Sequence, residues 1–160
     1  MAKPDSSLIA GPLEFRRLRP ELQESVASFF GLMSSDQDSN YFHPHPMTTE
    51  QAVSLCSYAG KDLYYVACAG TTVLAYGMLR GWDEGYEIPS LGIAVHPQAR
   101  GTGVARAFMA FLHLAAKLRG ATKVRLTVYA ENIRAVEIYR RLGYILEHKN
   151  EREYVGTIAL

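Results

Sequence analysis

The segment HPQARGTG, residues 96–103, limits the folds open to this chain more than any other feature. It joins an apolar run, LGIAV (91–95), which predicts a strand, to VARAFMAFLHLAAKL (104–118), whose spacing of apolar residues predicts a helix. Glycine-rich turns at the start of a helix bind phosphate, because backbone N–H groups point at the ligand and the helix dipole favours an anion. Gly101 and Gly103 therefore predict a loop whose backbone comes close to a ligand.

Two common glycine-rich phosphate loops do not fit this segment. The Walker loop requires a Lys directly after its last glycine, and Val104 follows Gly103. The dinucleotide fingerprint requires a third glycine three residues after the second, and that position is Arg106. Both patterns are therefore excluded.

The other elements follow one another in an order that predicts one mixed domain. The predicted strands are 14–19, 63–69, 72–79, 91–95 and 123–129, followed by an antiparallel pair within 144–160. The predicted helices are one from Pro20 to Gly31, one capped by Thr48 or Thr49 and ended by Gly60, one at 104–118 and one at 132–142. The order βααββ, βαβα, ββ indicates an α+β (mixed α/β) fold with helices on the faces of a mixed sheet. We expect a single domain over 13–160, after a loose leader at 1–12.

Composition and charge exclude several classes of function. Lys and Arg total 17 against 16 Asp and Glu, a formal net charge of +1, so no basic field favours nucleic acid or a membrane surface as a partner. No apolar run is long enough for a signal peptide or a transmembrane helix. Cys56 and Cys68 lack metal-ligand spacing, and we expect two buried free thiols rather than a disulfide or a ligand pair. Together these observations predict a cytoplasmic protein.

Two patterns that include the loop resemble the signatures of a known family. Gln98-x-x-Gly101-x-Gly103 resembles the Gln/Arg-x-x-Gly-x-Gly/Ala signature of the GNAT superfamily of N-acetyltransferases. The segment NIRAVEIYRRLGY, residues 132–144, is similar to the second signature of that family, Asn-x-x-Ala-x-x-x-Tyr-x-x-x-Gly-Phe/Tyr. The two signatures stand in the family's order within residues 91–144.

The resemblance implies a fold, a donor and a reaction. It implies a twisted, mixed and mostly antiparallel sheet of about seven strands with four helices, splayed between strands 91–95 and 123–129. It implies acetyl-CoA (coenzyme A) as co-substrate, with its pyrophosphate at the loop amides and its pantetheine arm along strand 91–95, and no metal. The donor contacts that it implies are Ile93, Ala94, Val95, Gln98, Arg100, Gly101, Thr102, Gly103, Val104, Ala105, Asn132, Ala135 and Tyr139.

Acyl transfer to an amine requires a neutral amine, donors for a tetrahedral oxyanion and a proton for the CoA thiolate. The backbone N–H of Val95 is the expected oxyanion donor. The resemblance makes Tyr139 the proton donor; alternatively, its ring only packs in the core. Asn132 either contacts the pantetheine arm or caps the last helix, and the two roles are compatible.

The base that deprotonates the amine is missing from the family's usual place. Many family members carry a Glu on the strand before the loop, whereas residues 90–94 (SLGIA) offer no carboxylate. Glu87, just upstream, is the candidate general base, acting directly or through water. Asp83, Glu84, His96 and a water relayed by backbone carbonyls are the alternatives.

The link between the first two helices commonly shapes the acceptor pocket in this family, and here it contains YFHPHP. The candidate acceptor contacts are Tyr41, Phe42, His43, His45, Trp82 and Tyr86. Trp82 and Tyr86 suit stacking on a sugar or a base, whereas the alternative for YFHPHP is a rigid turn with no ligand. His43 and His45 lack a third ligand, so we expect no metal site.

The favoured function is an acetyl-CoA-dependent N-acetyltransferase that acts on a primary amine of a small molecule through a tetrahedral intermediate. The pattern is similar to bacterial members that acylate amino sugars, including nucleotide-linked amino sugars. The alternatives are a protein N-terminal or lysine acetyltransferase and a non-catalytic acyl-CoA-binding sensor. The apolar end YVGTIAL, residues 154–160, is compatible with a homodimer formed through terminal strands.

Overall fold

The computed structural model describes residues 11–36, 41–42 and 44–160. Within them the chain forms seven strands and four α-helices, as the sequence predicts. The strands are β1 (Leu13–Arg17), β2 (Leu63–Ala69), β3 (Thr72–Arg80), β4 (Ser90–Val95), β5 (Lys123–Tyr129), β6 (Ile145–His148) and β7 (Glu153–Ala159). The helices are α1 (Gln23–Ser35), α2 (Thr49–Cys56), α3 (Val104–Leu118) and α4 (Ile133–Leu142).

All seven strands form one sheet in the order β1-β2-β3-β4-β5-β7-β6. Neighbouring strands are antiparallel except β4 and β5, which are parallel and pair only at Ser90 and Arg125. Past that pair the two strands diverge toward their carboxyl ends. The predicted splay is therefore confirmed, and it leaves the β5-facing edge of residues 91–95 without a partner strand among the described residues.

Helices cover the two faces of the sheet unequally. On one face, here called the α1 face, α1 and α2 pack around buried Val26, Phe30 and Tyr76. On the other, the α3 face, the core is built around Phe108 and Leu126. Burying each such side chain stabilises the fold by about 1.5–3 kcal/mol. Every second residue of β5 is exposed on the α1 face, so the half of that face beyond β4 is open to solvent.

Two helix ends differ from the sequence prediction. The predicted end of α1 at Gly31 is wrong, because the helix continues through this residue to Ser35. Gly31 is exposed, and a Cβ there would meet no atom within 4 Å. The low helix propensity of glycine is therefore its only cost to the helix at this position. The predicted end of the second helix at Gly60 is also too late, since α2 ends at Cys56. Its cap is Thr48, whose side chain accepts a hydrogen bond from the Gln51 amide at 3.1 Å.

The elements near the two ends of the chain also differ in part from the sequence prediction. The first strand covers Leu13–Arg17 rather than 14–19, and Pro20–Leu22 forms a 3₁₀ turn before α1. Residues 1–10 of the expected leader lie outside the described residues. Strand β7 lies between β5 and β6, so the segment YVGTIAL forms an inner strand of the sheet rather than its edge, and a homodimer through terminal strands stays a prediction.

Two expectations from composition concern burial and the membrane. Cys56 and Cys68 are buried free thiols, as predicted. No helix in the described part of the chain is long and apolar enough to cross a membrane.

Candidate active site

A cavity of about 500 Å³ opens where β4 and β5 diverge, and it reaches both faces of the sheet. On the α3 face its walls come from the loop before α3, from α3 itself and from α4. On the α1 face they come from α1 and the link that follows it. The lining residues used below are Met33, Tyr41, Phe42, Gly92, Ile93, Ala94, Val95, Arg100, Gly101, Ala105, Thr127, Glu131, Asn132, Arg134, Ala135 and Tyr139.

The loop before α3 presents its backbone to this cavity. Gly101 and Gly103 have φ angles of +80° and +93°, in the left-handed region that glycine adopts readily. Gly103 is the N-cap of α3, a helix of 15 residues. The amides of Gly101, Gly103 and Ala105 donate to no backbone acceptor in the described chain. The start of α3 therefore offers N–H groups and the positive end of a helix dipole, which together suit a phosphate.

Arg100, in the loop before α3, forms an ion pair with a carboxylate at the end of α1. Its Nη2 lies 2.7 Å from Oδ2 of Asp36, directly after α1, and the two side chains are only about a fifth exposed. Arg134, at the start of α4, also lines the cavity and is exposed. Two guanidinium groups therefore stand near the loop amides, one of them already paired with a carboxylate.

Tyr139 presents a half-buried phenol to the cavity from α4. Its hydroxyl has no hydrogen-bond partner among the described residues, whereas Tyr144 beside it, 5.6 Å away between ring centroids, is bonded to Nε2 of His113 at 2.6 Å. Burial raises the pKa of Tyr139 to about 12, so the phenol is protonated at neutral pH. It is therefore a hydrogen-bond donor available to a ligand.

Asn132 and Ala135 stand on the same side of α4 as Tyr139, as the helical spacing predicts. Asn132 caps this helix, because its Oδ1 accepts a hydrogen bond from the Ala135 amide at 3.3 Å. The capping role is thus present, and the side chain lines the cavity as well.

Tyr41 and Phe42 line the cavity from the α1 face. The Tyr41 ring lies 6.0 Å from that of Tyr129 at the end of β5. Phe42 lies against β4 so closely that a Cβ on Gly92 would stand 3.1 Å from its Cε2. The missing side chain at residue 92 therefore leaves the space that the Phe42 ring needs.

His45 is directed into the core rather than into the cavity. Its Nδ1 lies 2.9 Å from the Pro46 carbonyl oxygen, which requires a proton on Nδ1, and Nε2 accepts from the Tyr76 hydroxyl at 2.9 Å. Burial lowers the pKa of His45, and the nearby Arg80 guanidinium lowers it further. The side chain anchors the link to β3 and does not line the cavity, so its contact with an acceptor stays a prediction; His43 lies outside the described residues.

The family follows from a comparison with known proteins. The family model described as the acetyltransferase (GNAT) family matches residues 29–144. The chain belongs to the GNAT acetyltransferase family. Its sequence is 32% identical over 87 residues to acetyltransferase SG1711 of Sodalis glossinidius (strain morsitans), a match that covers 54% of this chain and 59% of that relative. The match thus spans less than two thirds of the relative's length.

Solved GNAT structures share the fold. The GNAT domain of S. lividans PAT superposes with a TM-score of 0.80 at 18% identity, covering 94% of this chain and 92% of that chain. Spermidine N-acetyltransferase from Vibrio cholerae, solved in complex with CoA and spermine, superposes with a TM-score of 0.75 at 16% identity, covering 92% and 95%. The GNAT fold expected from the two signatures is therefore confirmed.

The remaining candidates of this GNAT protein lie outside the cavity. Tyr86 and Glu87 line a separate groove of about 660 Å³ on the open half of the α1 face, here called the sheet groove. Glu87 is exposed and does not share a cavity with Tyr139. Trp82 packs with the α3-face core under the Arg119 guanidinium, 5.2 Å from the ring centroid. One face of its ring therefore meets Arg119, and the ring does not line the cavity, so its stacking on an acceptor stays a prediction.

Among the cavity residues that the sequence prediction missed, three have polar side chains. Thr127 and Glu131 lie at the end of β5 and just after it, and Arg134 lies in the first turn of α4. Glu131 is the one carboxylate among the described residues that line this cavity. Its position directly before Asn132 was the signal in the sequence, since the loop after β5 faces the same opening as the loop after β4.

Proposed function

We propose that this GNAT chain transfers the acetyl group of acetyl-CoA to a primary amine of a small molecule, by direct attack through a tetrahedral intermediate. One observation carries the proposal. The cavity between β4 and β5 joins the amides at the start of α3, the unpaired edge of β4 and the Tyr139 hydroxyl, and it opens to the α1 face. A thioester bound from the α3 face is then accessible to an amine arriving from the α1 face.

The residues around the splay fit an extended donor with a diphosphate at one end. The amides of Gly101, Gly103 and Ala105 suit the pyrophosphate, and Arg134 adds a cation. The backbone of residues 91–95 has its β5-facing N–H and C=O groups unpaired, and a peptide-like pantetheine arm can take the place of a strand there. The amide of Val95 is then available for the oxyanion.

Tyr139 stabilises the leaving thiolate in this proposal. Because burial raises the pKa of Tyr139 to about 12, above that of a thiol (about 8.5 for cysteine), complete proton transfer from phenol to thiolate is uphill. A hydrogen bond from the neutral phenol is favourable, however, and strengthens as negative charge develops on sulfur. The proton that finally neutralises the thiolate comes from the attacking amine.

Glu87 and Glu131 compete for the role of general base. Glu87 lines the adjacent sheet groove, so its role as base requires a water between it and the amine, whereas Glu131 lines the cavity itself. The pH dependence of kcat/KM in Glu87→Gln and Glu131→Gln distinguishes them, since loss of the base removes the acidic limb of the profile. Glu24→Gln is the control, because Glu24 is an exposed carboxylate on α1 that lines neither the cavity nor the sheet groove. We expect the limb to be lost in Glu87→Gln and kept in the control.

A small acceptor is favoured by the shape of the entrance on the α1 face. Tyr41 and Phe42 stand over the splay, and Tyr41 contacts Tyr129 across it. Aromatic walls of this kind enclose a ligand rather than leaving the open groove that a peptide needs.

Release of free thiol from acetyl-CoA tests the proposal, with small primary amines, an N-terminal peptide and a lysine peptide as acceptors. We expect thiol release with small amines and little above background with the peptides. Higher activity with a peptide would indicate that the chain acetylates proteins rather than small molecules. Tight CoA binding with no turnover of any amine would contradict the proposed acetyltransferase activity and favour an acyl-CoA sensor.

A further inference from the structure

Four polar side chains form a row across the open half of the α1 face. In the strand registers, Arg80 pairs with Ser90, Ser90 with Arg125, and Arg125 with Thr157. These residues are therefore neighbours on four adjacent strands, about 4.8 Å apart from strand to strand. All four line the sheet groove. The floor of the groove thus carries two guanidinium groups with a serine hydroxyl between them and a threonine hydroxyl beside them.

The two arginines of this row keep donors available. The side chain of Arg125 is exposed and forms no ion pair or hydrogen bond with the described residues. Arg80 is half-buried, and its Nη1 donates to the Pro44 carbonyl oxygen at 3.1 Å. An arginine has five N–H donors, so this bond leaves most of them for a ligand. Guanidinium groups flanking a hydroxyl match the acceptor oxygens of a carboxylate or a phosphate.

The groove also contains two carboxylates, and their position differs from that of the arginines. Glu84 and Glu87 belong to the link between β3 and β4, are exposed, and stand at the rim. Arg80 and Arg125 rise from the strands that form the floor. A ligand in the groove therefore meets cationic donors at the bottom and carboxylates only where it leaves toward solvent.

The row lies next to the cavity of the proposed reaction. Gly92 and Thr127, which line that cavity, are each two residues further along the same strands than Ser90 and Arg125, a distance of about 7 Å. They share the α1 face with the row, since side chains two residues apart on a strand point the same way. A small molecule with its amine at the splay can therefore place a second group over the row.

We propose that the amine acceptor carries an anionic oxyacid group, a carboxylate or a phosphate, and that Arg125, Ser90 and Arg80 bind it. This inference rests on the proposed function, because it assigns the rest of the molecule whose amine is acetylated. The row thereby selects amines that also carry a carboxylate or a phosphate over amines of similar length that carry no charged group or only further amino groups.

The test compares matched acceptors in wild type and Arg125→Gln. The pairs are 4-aminobutyrate with n-butylamine, for a carboxylate, and phosphoethanolamine with ethanolamine, for a phosphate. We expect kcat/KM in wild type to be at least about tenfold higher for the anionic member of one pair, and Arg125→Gln to remove that preference through acceptor KM, with KM for acetyl-CoA unchanged. Arg125→Lys retains part of the preference. Arg17→Gln, an exposed arginine on β1, is the control and leaves the kinetics unchanged.

Several outcomes overturn the inference. They are higher activity with the neutral members, an equal effect of Arg125→Gln on both members of each pair, and turnover of other amines with neither anionic probe accepted. If no amine is acetylated although CoA binds, the proposed function fails. Calorimetric titration of the CoA-saturated protein with both anionic probes then tests separately whether the row binds an anion. Saturable binding that Arg125→Gln abolishes supports the row, and absence of binding overturns it.

Discussion

Oδ2 of Asp36, at the end of α1, lies 2.7 Å from Nη2 of Arg100, in the loop before α3. This pair connects the acceptor side of the cavity to the loop proposed to hold the CoA pyrophosphate. A carboxylate beside a phosphate site repels the ligand, yet here it also orients a cation that the ligand can use. Asp36 therefore affects both the stability of the fold and the affinity for CoA.

Replacing Asp36 with Asn separates these two effects. We expect the free energy of unfolding to fall by an amount between the roughly 1 kcal/mol of an exposed ion pair and the 3–5 kcal/mol of a buried one. We also expect CoA to bind more tightly, by about twofold to tenfold, because one negative charge near the diphosphate is removed. Urea unfolding and calorimetry measure the two quantities. Weaker CoA binding would show that Arg100 needs Asp36 to face the ligand.

Removing the Tyr139 hydroxyl tests its role as thiolate donor. Since a hydrogen bond to a charged group contributes about 1.5–3 kcal/mol, Tyr139→Phe should lower kcat roughly tenfold to a hundredfold. Affinity for acetyl-CoA should hardly change, because the bond strengthens only as the thiolate forms. Tyr154→Phe, a half-buried tyrosine on β7 outside the cavity, serves as the control. An unaltered kcat in Tyr139→Phe would show that the hydroxyl does not act on the thiolate and that the ring only packs.

The continuation of α1 through Gly31 predicts a stabilising substitution. Gly31 has helical backbone, is exposed, and would place a Cβ in open space. Alanine has the higher helix propensity, so Gly31→Ala should raise the free energy of unfolding by about 0.8–1 kcal/mol. Chemical denaturation at constant m-value measures it. A loss of stability would mean that α1 ends at Gly31 after all.

Half-buried histidines predict that the fold weakens on mild acidification. Burial lowers the pKa of His45, His96 and His113 below the ordinary value near 6.5. The unfolded chain therefore binds more protons than the native chain as pH falls through 6.5, and stability rises with pH in this window. Each histidine contributes at most about 1.4 kcal/mol per pH unit.

Urea unfolding at pH 7.5 and pH 5.5 measures this dependence, in a range where carboxylates stay ionised in both states. We expect lower stability at pH 5.5 and a smaller difference in His113→Gln, which removes one of the three groups. Equal stability at the two pH values would show that none of the three imidazoles is protected from protonation in the native state.

The donor side of the site was predictable from sequence because it depends on local backbone. The positive φ angles of Gly101 and Gly103, the start of α3 and the cap at Asn132 each arise within a few residues of chain. Short-range patterns of this kind are visible as spacing in the sequence. The end of α1 was missed for a related reason, since one exposed glycine costs too little to end a helix that is packed along its length.

The acceptor side was less predictable because it depends on register between distant segments. Arg80, Ser90, Arg125 and Thr157 come from four strands, and their row exists only in the observed pairing. Likewise, the direction of the Trp82 ring, under Arg119, is set by where α3 ends on the sheet. Neither relationship has a local signal in the chain, and composition alone placed Trp82 with the acceptor contacts.

Binding of CoA to the loop before α3 is the central claim, and calorimetric titration of CoA into wild type, Gly103→Trp and Gly120→Trp tests it most directly. Both glycines have positive φ, +93° and +96°, and both would place a Cβ in open space, so the strain of substitution is shared. Gly103 is the N-cap of α3 and lies between Gly101 and Ala105, which line the cavity, whereas Gly120 follows the far end of the helix. We predict one CoA site per chain in wild type and Gly120→Trp, and none in Gly103→Trp. Equal affinity in all three proteins, or no binding to wild type, would contradict the account.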